Sequence, residues 1–456
     1  MSSKIKIEGG TPLIGRIRAQ GAKNTASKLL IASLISDQAC TLYNVPNITE
    51  VAITIELCKE LGSKITWDKK QKTIRIITKK LLSTTVSQRF SGANRMPILM
   101  LGALLNRTQK EIVVPTVGGD NLGQRPLNFH IEALRKLGAT VEYQSSQTEK
   151  NYVARSAGGL VGTLIQLPYP SVGATENTIL AAVKAKGTTI IKNAAIEPEI
   201  MDLILFLQKL GVNITVDVNR MIYIQETTAF YPVEHEILAD RNEVASYALA
   251  AIATKGRVLI EGAQHLNMIT FLNKLREIGG GFQVHKEGIE FFFQGELKGG
   301  LHIETDVHPG FMTDWQQPFG VLLTQCRGAS VIHETVYEKR FDYIHTLKQM
   351  GAEIDSFRQC LGGKNCRFAS LNHYHSIVIK GPCELHGKTI SIPDLRAGFA
   401  YVMAALIAKG SSTIEQMHFL DRGYENIAGK LLALGAKISV KKTENPLKAF
   451  LAKDLL

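Results

Sequence analysis

The stretch Gln208-Lys209-Leu210-Gly211 carries the pattern that decides the fold, and an alternating run of residues follows it. Polar residues, one large apolar residue and then a glycine predict the end of an amphipathic helix, closed by glycine in the left-handed conformation. The alternating run predicts a strand. The same pattern ends at six glycines, which are Gly62, Gly138, Gly211, Gly279, Gly351 and Gly435. Six repeats therefore account for nearly the whole chain.

Upstream of each glycine, an Ala- and Leu-rich segment is followed by a turn and a β-rich run, such as Lys255-Gly256-Arg257-Val258-Leu259-Ile260. These segments are apolar on nearly all faces and therefore predict buried helices. The predicted helices span approximately residues 24–36, 95–106, 175–186, 240–255, 315–326 and 395–409. Each repeat is thus predicted as strand, buried helix, strand, amphipathic helix and strand.

Three repeats around three buried helices predict one compact domain, and six repeats predict two. The first domain is expected at residues 22–236, and the second at residues 237–456 together with residues 1–21. Two other repeat architectures remain open at this point, a linear solenoid and a ring-shaped clamp on nucleic acid.

The composition is that of a globular protein with a sizeable core, since 45% of the 456 residues are hydrophobic and 21% are charged. No apolar run of about 18 residues and no signal peptide are found, so we expect a cytoplasmic protein without membrane partners and with reduced thiols. The net charge of +12 favours anionic partners. Because the basic residues are dispersed, small phosphorylated substrates are favoured over nucleic acid.

Cations stand at the start of four of the six apolar helices, at Lys23, Arg95, Arg241 and Arg396. Asp, Asn, Ser or Thr at such positions is explained by helix capping. A cation there opposes the helix dipole, at a cost of about 0.3–1 kcal/mol. Because a cation and a helix N-terminus together favour a bound anion, helix starts that meet on one side would bind phosphate and carboxylate groups.

A glycine-rich loop runs from Gly118 to Pro126 and carries Asp120 and Arg125 near its tip. Three glycines within six residues predict a loop that can move and bring its backbone close to a ligand. The loop and seven other motifs resemble the UDP-N-acetylglucosamine enolpyruvyl transferases, with wording most similar to chlamydial-type members. The other motifs are Gly21-Ala22-Lys23-Asn24, Ser171-Val172-Gly173-Ala174-Thr175, Glu197-Pro198-Glu199-Ile200, Thr313-Asp314 with Gln316, Glu334-Thr335-Val336, Asp394-Leu395-Arg396-Ala397 and Asp421-Arg422-Gly423-Tyr424-Glu425.

The resemblance runs essentially from end to end and implies an α/β fold, a two-domain inside-out α/β barrel with three βαβαββ-like repeats in each domain. It implies transfer of the enolpyruvyl group of phosphoenolpyruvate to the 3′-hydroxyl of UDP-N-acetylglucosamine, with release of phosphate by addition and elimination. This reaction is the first committed step of peptidoglycan synthesis, on which the cell wall, cell shape and cell division depend. Neither a metal nor an organic cofactor is implied.

The resemblance also implies the roles of single residues. Catalysis is expected from Asp120, Asp314, Lys23 and Arg422. Lys23, Arg125 and Arg422, with Arg396 beside them, are expected to hold phosphoenolpyruvate. Asp314 is expected as the base near the 3′-hydroxyl and Asp394 as a second carboxylate. The nucleotide sugar is expected to contact Asn24, Arg95, Arg125, Pro126, Leu127, Asn128, Phe129, Ser171, Val172, Gly173 and Val336.

Asp120 departs from the family, in which most members have a cysteine that donates a proton and is the target of fosfomycin. Aspartate donates a proton only if its pKa is raised from about 3.9, which burial on loop closure would do. A carboxylate is also a poorer nucleophile toward the epoxide. We therefore expect an active enzyme that fosfomycin does not inactivate. Two smaller departures, Asn128 for aspartate and Tyr169 for lysine, weaken the roles implied there.

A segment before Asp394 contains Cys360, Cys366, His373 and His375. Cysteine and histidine are zinc ligands, but this spacing is not that of the common structural sites, so we predict a hairpin insertion and no metal. Two alternative functions are weighed against the main one. Shikimate 3-phosphate enolpyruvyl transferases have Ser-Lys-Ser where this chain has Ala22-Lys23-Asn24. A nucleic-acid clamp does not explain the cleft carboxylates, which would repel phosphates.

Overall fold

The structure is a computed structural model, and it describes residues 4–118, 126–363, 366–393 and 395–441, with the backbone alone at residues 395 and 396. The described residues fold into two compact units. The N-terminal unit comprises residues 21–118 and 126–238, and the C-terminal unit comprises residues 4–20 together with those from residue 239 onward. Each unit has its own buried apolar core.

Short strands run through both units. In chain order they are β1 (Lys4–Glu8), β2 (Ile14–Arg18), β3 (Cys40–Tyr43), β4 (Lys64–Asp68), β5 (Thr73–Ile77), β6 (Ile112–Pro115), β7 (Thr140–Ser145), β8 (Lys150–Arg155), β9 (Leu164–Gln166), β10 (Thr188–Lys192), β11 (Ile214–Asp217), β12 (Met221–Gln225), β13 (Val233–Glu236), β14 (Arg257–Glu261), β15 (Gly280–Val284), β16 (Gly288–Phe293), β17 (His302–Glu304), β18 (Gly328–His333), β19 (Glu353–Phe357), β20 (Ser376–Gly381), β21 (Thr389–Ser391), β22 (Ser411–Glu415) and β23 (Lys437–Lys441).

Helices of two kinds alternate along the chain. In chain order they are α1 (Lys23–Ala32), α2 (Thr49–Glu60), α3 (Met96–Leu105), α4 (Asn128–Lys136), α5 (Val172–Ala182), α6 (Pro198–Lys209), α7 (Arg241–Ala253), α8 (Ile269–Glu277), α9 (Gln316–Leu323), α10 (Tyr343–Met350), α11 (Leu395–Ile407) and α12 (Ile427–Ala433). Among the described helices, none has the length and apolar character needed to cross a membrane.

The six predicted buried helices are confirmed as the odd-numbered helices, with ends that differ by a few residues. The six amphipathic helices are the even-numbered ones, and the glycine predicted to close each of them has a positive φ, from 85° at Gly279 to 113° at Gly351. That conformation is accessible to glycine without strain, so these glycines end the helices as expected.

The strands form six sheets, one for each repeat. Five sheets follow one order: a parallel pair, then two antiparallel neighbours, as in β9-β10-β12-β11. The sixth, β6-β8-β7, has an isolated parallel bridge between Thr85 and Val113 beside its first strand. The residue pattern predicted a single strand after each glycine, which is wrong. The strand after the glycine turns back into a second strand, and the two pair as an antiparallel hairpin. The second strand thus forms backbone hydrogen bonds with the first, whose N–H and C=O groups would otherwise be unpaired at the sheet edge.

Strands distant in sequence complete three of the sheets, and in one of these β2 pairs in parallel with β14. β1 lies between β22 and β23, with Ile5 opposite Ile414 on one side and Val440 on the other. β13, at the end of the N-terminal unit, pairs in parallel with β3 near the start of that unit.

The three buried helices of the N-terminal unit run parallel. The Gly102 N–H in α3 donates to Asn177 Oδ1 in α5 (3.1 Å), and Asn106 Nδ2 donates to the Leu180 carbonyl (2.7 Å). Arg107 Nη1 donates to the Leu34 carbonyl (2.9 Å), which joins the end of α3 to the end of α1. The starts of α1, α3 and α5 therefore lie at the other end of this helix trio.

The buried helices of the C-terminal unit are arranged in the same way. The Leu13 N–H donates to Thr254 Oγ1 after α7 (3.1 Å), and the nearby Gly10 N–H donates to the Leu406 carbonyl in α11 (2.8 Å). At the opposite end, the Arg241 guanidinium at the start of α7 lies 5.5 Å from the ring of Trp315, which directly precedes α9. The starts of these helices thus also share one end.

Candidate active site

The N-terminal unit brings six predicted substrate-binding residues to the shared starts of its buried helices. Lys23 is the first residue of α1, where the capping residue contributes no side-chain hydrogen bond. Arg95 occupies the N-cap of α3, and Ser171 caps α5 by accepting a hydrogen bond from the Ala174 N–H (3.4 Å). Asn24, Val172 and Gly173 lie in the same first turns. Two cations and the N-terminal turns of three helices therefore lie at one end of the trio, an arrangement that favours anions.

A buried ion pair beneath these helix starts was not predicted from the sequence. Lys28 Nζ lies 3.6 Å from Glu176 Oε1 and donates to the Asn24 carbonyl (2.6 Å). Burial raises the pKa of the Glu176 carboxyl to about 7, although the Lys28 ammonium opposes the shift. The pair links α1 to α5 close to Lys23. A lysine and a glutamate inside otherwise apolar helices are the signal that could have revealed it.

The predicted uridine segment and the predicted diphosphate segment are adjacent. Leu127 and Asn128 open α4, and His130 in that helix lies 3.3 Å, Nδ1 to Nδ2, from Asn177 in α5. A Cβ atom on Gly173 would lie 3.0 Å from His130 Cε1, so the first turn of α5 packs directly over the imidazole. Pro126 directly precedes Leu127, and Phe129 is the second residue of α4.

In the C-terminal unit, a buried polar network joins Asp314 to Val336. Thr313, beside Asp314 in a 3-10 turn, donates through Oγ1 to Glu334 Oε2 (2.8 Å). The other oxygen of Glu334 accepts the Val336 N–H (2.8 Å). Burial raises the pKa of Glu334, an effect that the neighbouring Arg340 opposes. Arg340 also pairs with Asp314 and was not predicted from the sequence.

Arg422 is the last residue of a 3-10 helix that is fastened to α7 through Gln20. Gln20 is fully buried, and its side-chain Nε2 donates to the carbonyl of Gly423, the residue after Arg422 (2.6 Å). The backbone N–H of Gln20 donates to Glu243 Oε2 in α7 (2.7 Å). Tyr424 stacks on Phe399 of α11 with 5.2 Å between the ring centroids. These contacts fix Arg422 relative to two of the three buried helices of its unit.

Some predicted site residues lie outside the part of the chain that the structure describes. Asp120, Arg125 and Asp394 lie outside the described residues, and so does the side chain of Arg396. Tyr169, to which no role was assigned, lies two residues before the cap of α5.

The C-terminal unit contains a second group of reactive side chains. His333, Cys360, Cys366 and His375 place one possible metal-ligand atom each within 4.8 Å of all the others. The group differs in two respects from the set Cys360, Cys366, His373 and His375 considered in the sequence, while the hairpin insertion without metal stays a prediction. His333 joins the group from β18, and His373 is not a member. Pairing between β18 and β20 brings His333 to the group from outside the segment, so no spacing within the segment includes it.

The chain belongs to the EPSP synthase (3-phosphoshikimate 1-carboxyvinyltransferase) family, whose profile matches residues 7–431. It is 62% identical to the UDP-N-acetylglucosamine 1-carboxyvinyltransferase of Protochlamydia amoebophila, over 97% of this chain and 96% of that protein. The protein of the same name from Chlamydia muridarum is 55% identical, over 96% of this chain and 99% of its own length. A Staphylococcus aureus relative named UDP-N-acetylglucosamine 1-carboxyvinyltransferase 1 is 35% identical over 95% of this chain and 98% of that protein. The resemblance inferred from the motifs is thereby confirmed.

Solved structures confirm the mixed α/β fold of enolpyruvyl transferases. The enolpyruvyl transferase NikO from Streptomyces tendae superposes with a TM-score of 0.84 at 20% identity, covering 97% of this chain and 99% of that one. An EPSP synthase from Acinetobacter baumannii gives a TM-score of 0.73 at 17% identity, covering 97% of this chain and all of that one. At these identities the likeness concerns the fold alone.

Proposed function

We propose that this protein transfers the enolpyruvyl group of phosphoenolpyruvate to the 3′-hydroxyl of UDP-N-acetylglucosamine and releases phosphate, in the cytoplasm, as the first committed step of peptidoglycan synthesis. The observation that carries the proposal is the 62% identity to a UDP-N-acetylglucosamine 1-carboxyvinyltransferase over nearly the full length of both chains. The same observation favours this activity over the shikimate 3-phosphate and nucleic-acid alternatives. Six free cysteines are in keeping with a reducing compartment.

The proposed chemistry needs cations that neutralise two anionic substrates. Lys23 at the start of α1 and Arg422 beside α7 hold the phosphate and carboxylate of phosphoenolpyruvate, together with Arg125 and Arg396. Helix N–H groups at the start of α5 receive the diphosphate, while Asn24, Arg95 and residues 125–129 contact the rest of the nucleotide sugar. Support comes from the shared helix starts within the N-terminal unit and from the fastening of Arg422 by Gln20.

The proposed proton transfers use carboxyl groups. Asp314 removes the proton of the 3′-hydroxyl, with its orientation fixed by Arg340, and Val336 contacts the sugar from the end of the same network. Asp120 protonates the methylene carbon of phosphoenolpyruvate, and Asp394 is the second carboxylate. No metal or organic cofactor takes part in this reaction.

The two compact units are, in this proposal, the two domains of an inside-out α/β barrel, at residues 22–236 and at residues 1–21 with 237–456. The six βαβαββ-like repeats and the separate apolar core of each unit support this assignment.

The experiment that tests the proposal offers the purified protein phosphoenolpyruvate with one of two acceptors. NMR of the product mixture detects the vinyl ether that enolpyruvyl transfer creates. We expect it on the 3′-oxygen of UDP-N-acetylglucosamine and not on shikimate 3-phosphate. If the vinyl ether forms on shikimate 3-phosphate and not on UDP-N-acetylglucosamine, the protein is instead a shikimate 3-phosphate enolpyruvyl transferase.

A further inference from the structure

Four side chains with metal-binding atoms meet at one end of the sheet β17-β18-β20-β19, outside the proposed transferase chemistry. His333 is the last residue of β18, and it lies opposite Ser376, the first residue of β20. His375 directly precedes β20, while Cys360 and Cys366 lie in the connection between β19 and β20. Their ligand atoms are all within 4.8 Å of one another.

The separations suit tetrahedral coordination. Zinc bonds of about 2.3 Å to sulfur and about 2.0–2.1 Å to nitrogen place neighbouring ligand atoms roughly 3.3–3.8 Å apart. Cys360 Sγ lies 3.3 Å from His375 Nε2, which is within that range. None of the separations among the four ligand atoms exceeds 4.8 Å, which is within about an ångström of that range.

Contacts around the group orient the ligand atoms inward. His375 Nδ1 lies 2.9 Å from the His373 carbonyl, which can only accept, so Nδ1 carries the hydrogen and the lone pair of Nε2 faces Cys360. Metal-binding histidines have this arrangement, with the second ring nitrogen held by a carbonyl or carboxylate. Cys366 Sγ accepts the Phe368 N–H (3.3 Å), which fixes its direction.

His333 supplies an independent indication that a ligand belongs here. Its side chain is fully buried, and neither ring nitrogen has a hydrogen-bond partner among the described residues. The nearest carboxylate oxygen, Glu304 Oε2, is 4.0 Å from Nδ1, too far for a hydrogen bond. Buried polar side chains are almost always hydrogen-bonded, and a metal ion would satisfy this one.

We propose that His333, Cys360, Cys366 and His375 form a structural zinc site that fastens the connection between β19 and β20 to the end of β18. Two thiolates and two imidazoles are the donor set of tetrahedral zinc. Four protein ligands leave no position for water or substrate, so the site stabilises the chain and does not take part in catalysis.

The site adjoins the turn that carries Val336. The Glu334 N–H, directly after His333, donates to the His375 carbonyl (2.8 Å), and the Arg367 guanidinium donates to the Val336 carbonyl. Zinc therefore holds both sides of this turn. Loss of zinc is expected to raise KM for the nucleotide sugar more than it lowers kcat, a consequence that rests on the proposed function.

The test measures zinc by mass spectrometry in full-length, untagged protein that was purified without chelator from zinc-supplemented cells. We expect about one zinc per chain. The variants C360S, C366S and H333N should each retain at least about tenfold less zinc. The controls H373N and C383S, which change a neighbouring histidine and a cysteine outside the group, should retain it.

A second measurement uses only the wild-type chain, so it remains decisive if the variants fail to fold. Cobalt replacing zinc in the wild-type chain should give the thiolate charge-transfer bands and strong visible absorption of a tetrahedral site. Three results would overturn the proposal: wild-type protein with only traces of zinc, equal zinc loss in H373N and H333N, or a Cys360–Cys366 disulfide in freshly purified protein. Zinc content does not depend on turnover, so a failed transferase assay leaves this test intact.

Discussion

Asp314 and Arg340 form a buried ion pair in which Oδ1 of Asp314 lies 3.0 Å from Nη2 of Arg340. The same Nη2 atom donates to the Thr313 carbonyl (2.8 Å), and the side chain of Arg340 is fully buried. Because one planar guanidinium makes both contacts, it fixes the direction of the Asp314 carboxylate relative to the backbone of its own turn.

Replacing Arg340 by lysine is predicted to lower kcat by about tenfold to a hundredfold, because a flexible ammonium does not hold Asp314 in one orientation. KM for phosphoenolpyruvate should change little. Steady-state kinetics measure both constants. The matched control is R327K, since Arg327 is 76% exposed and pairs with Glu296 at the surface. An R340K enzyme with wild-type kcat would show that Arg340 does not position the base.

The folding stability of the protein should depend on Glu176. The unfolded chain loses the proton of this carboxyl near its ordinary pKa of 4.5, whereas the folded chain keeps it until about pH 7. The unfolded state therefore binds fewer protons between these values, and the free energy of unfolding falls as pH rises through this window. Above about pH 7 the contribution of Glu176 to the free energy of unfolding no longer changes with pH.

Denaturant unfolding of wild type and E176Q across this pH range tests the effect. The difference in unfolding free energy between them should change by on the order of 1–3 kcal/mol, with wild type losing stability as pH rises. E132Q, at an exposed position, should follow wild type. Parallel curves for wild type and E176Q would mean that folding does not raise the pKa of the Glu176 carboxyl.

Gly102 is predicted to be required for the contact between α3 and α5. An added Cβ atom would lie 2.4 Å from Asn177 Oδ1, so G102A should destabilise the chain by about 1–3 kcal/mol. Helix propensity alone predicts the opposite sign, a gain of about 1 kcal/mol. The control is G158A, where nothing lies within 4 Å of the added atom. Chemical denaturation measures whether G102A lowers or raises the free energy of unfolding. A more stable G102A would contradict the close approach of α3 to Asn177 in α5.

Fosfomycin is predicted not to inactivate the wild-type enzyme, because the motif resemblance implies that Asp120 takes the place of the cysteine that the drug attacks. The variant D120C should gain time-dependent inactivation, since a thiolate attacks the epoxide more readily than a carboxylate. Incubation with the drug, followed by dilution and assay, separates covalent loss from reversible inhibition. Progressive loss of wild-type activity under these conditions is the contrary result.

The sequence predicted the repeats well because each depends on local chemistry. Apolar runs mark buried helices, and glycine marks helix ends such as Gly351, whose φ is 113°. Residues brought together by tertiary structure were missed. Arg340 stands in an irregular segment and pairs with Asp314, while strand pairing places His333 opposite Ser376, the neighbour of His375. No spacing rule contains either relationship.

Phosphate release tests most directly whether this protein is an enolpyruvyl transferase acting on UDP-N-acetylglucosamine. Purified protein is mixed with phosphoenolpyruvate, with or without the nucleotide sugar, at about pH 5 to 9. We predict that phosphate appears only when both substrates are present and that K23A and R422A abolish it. Phosphate release without the nucleotide sugar, or none with both substrates at any pH, would contradict the claim.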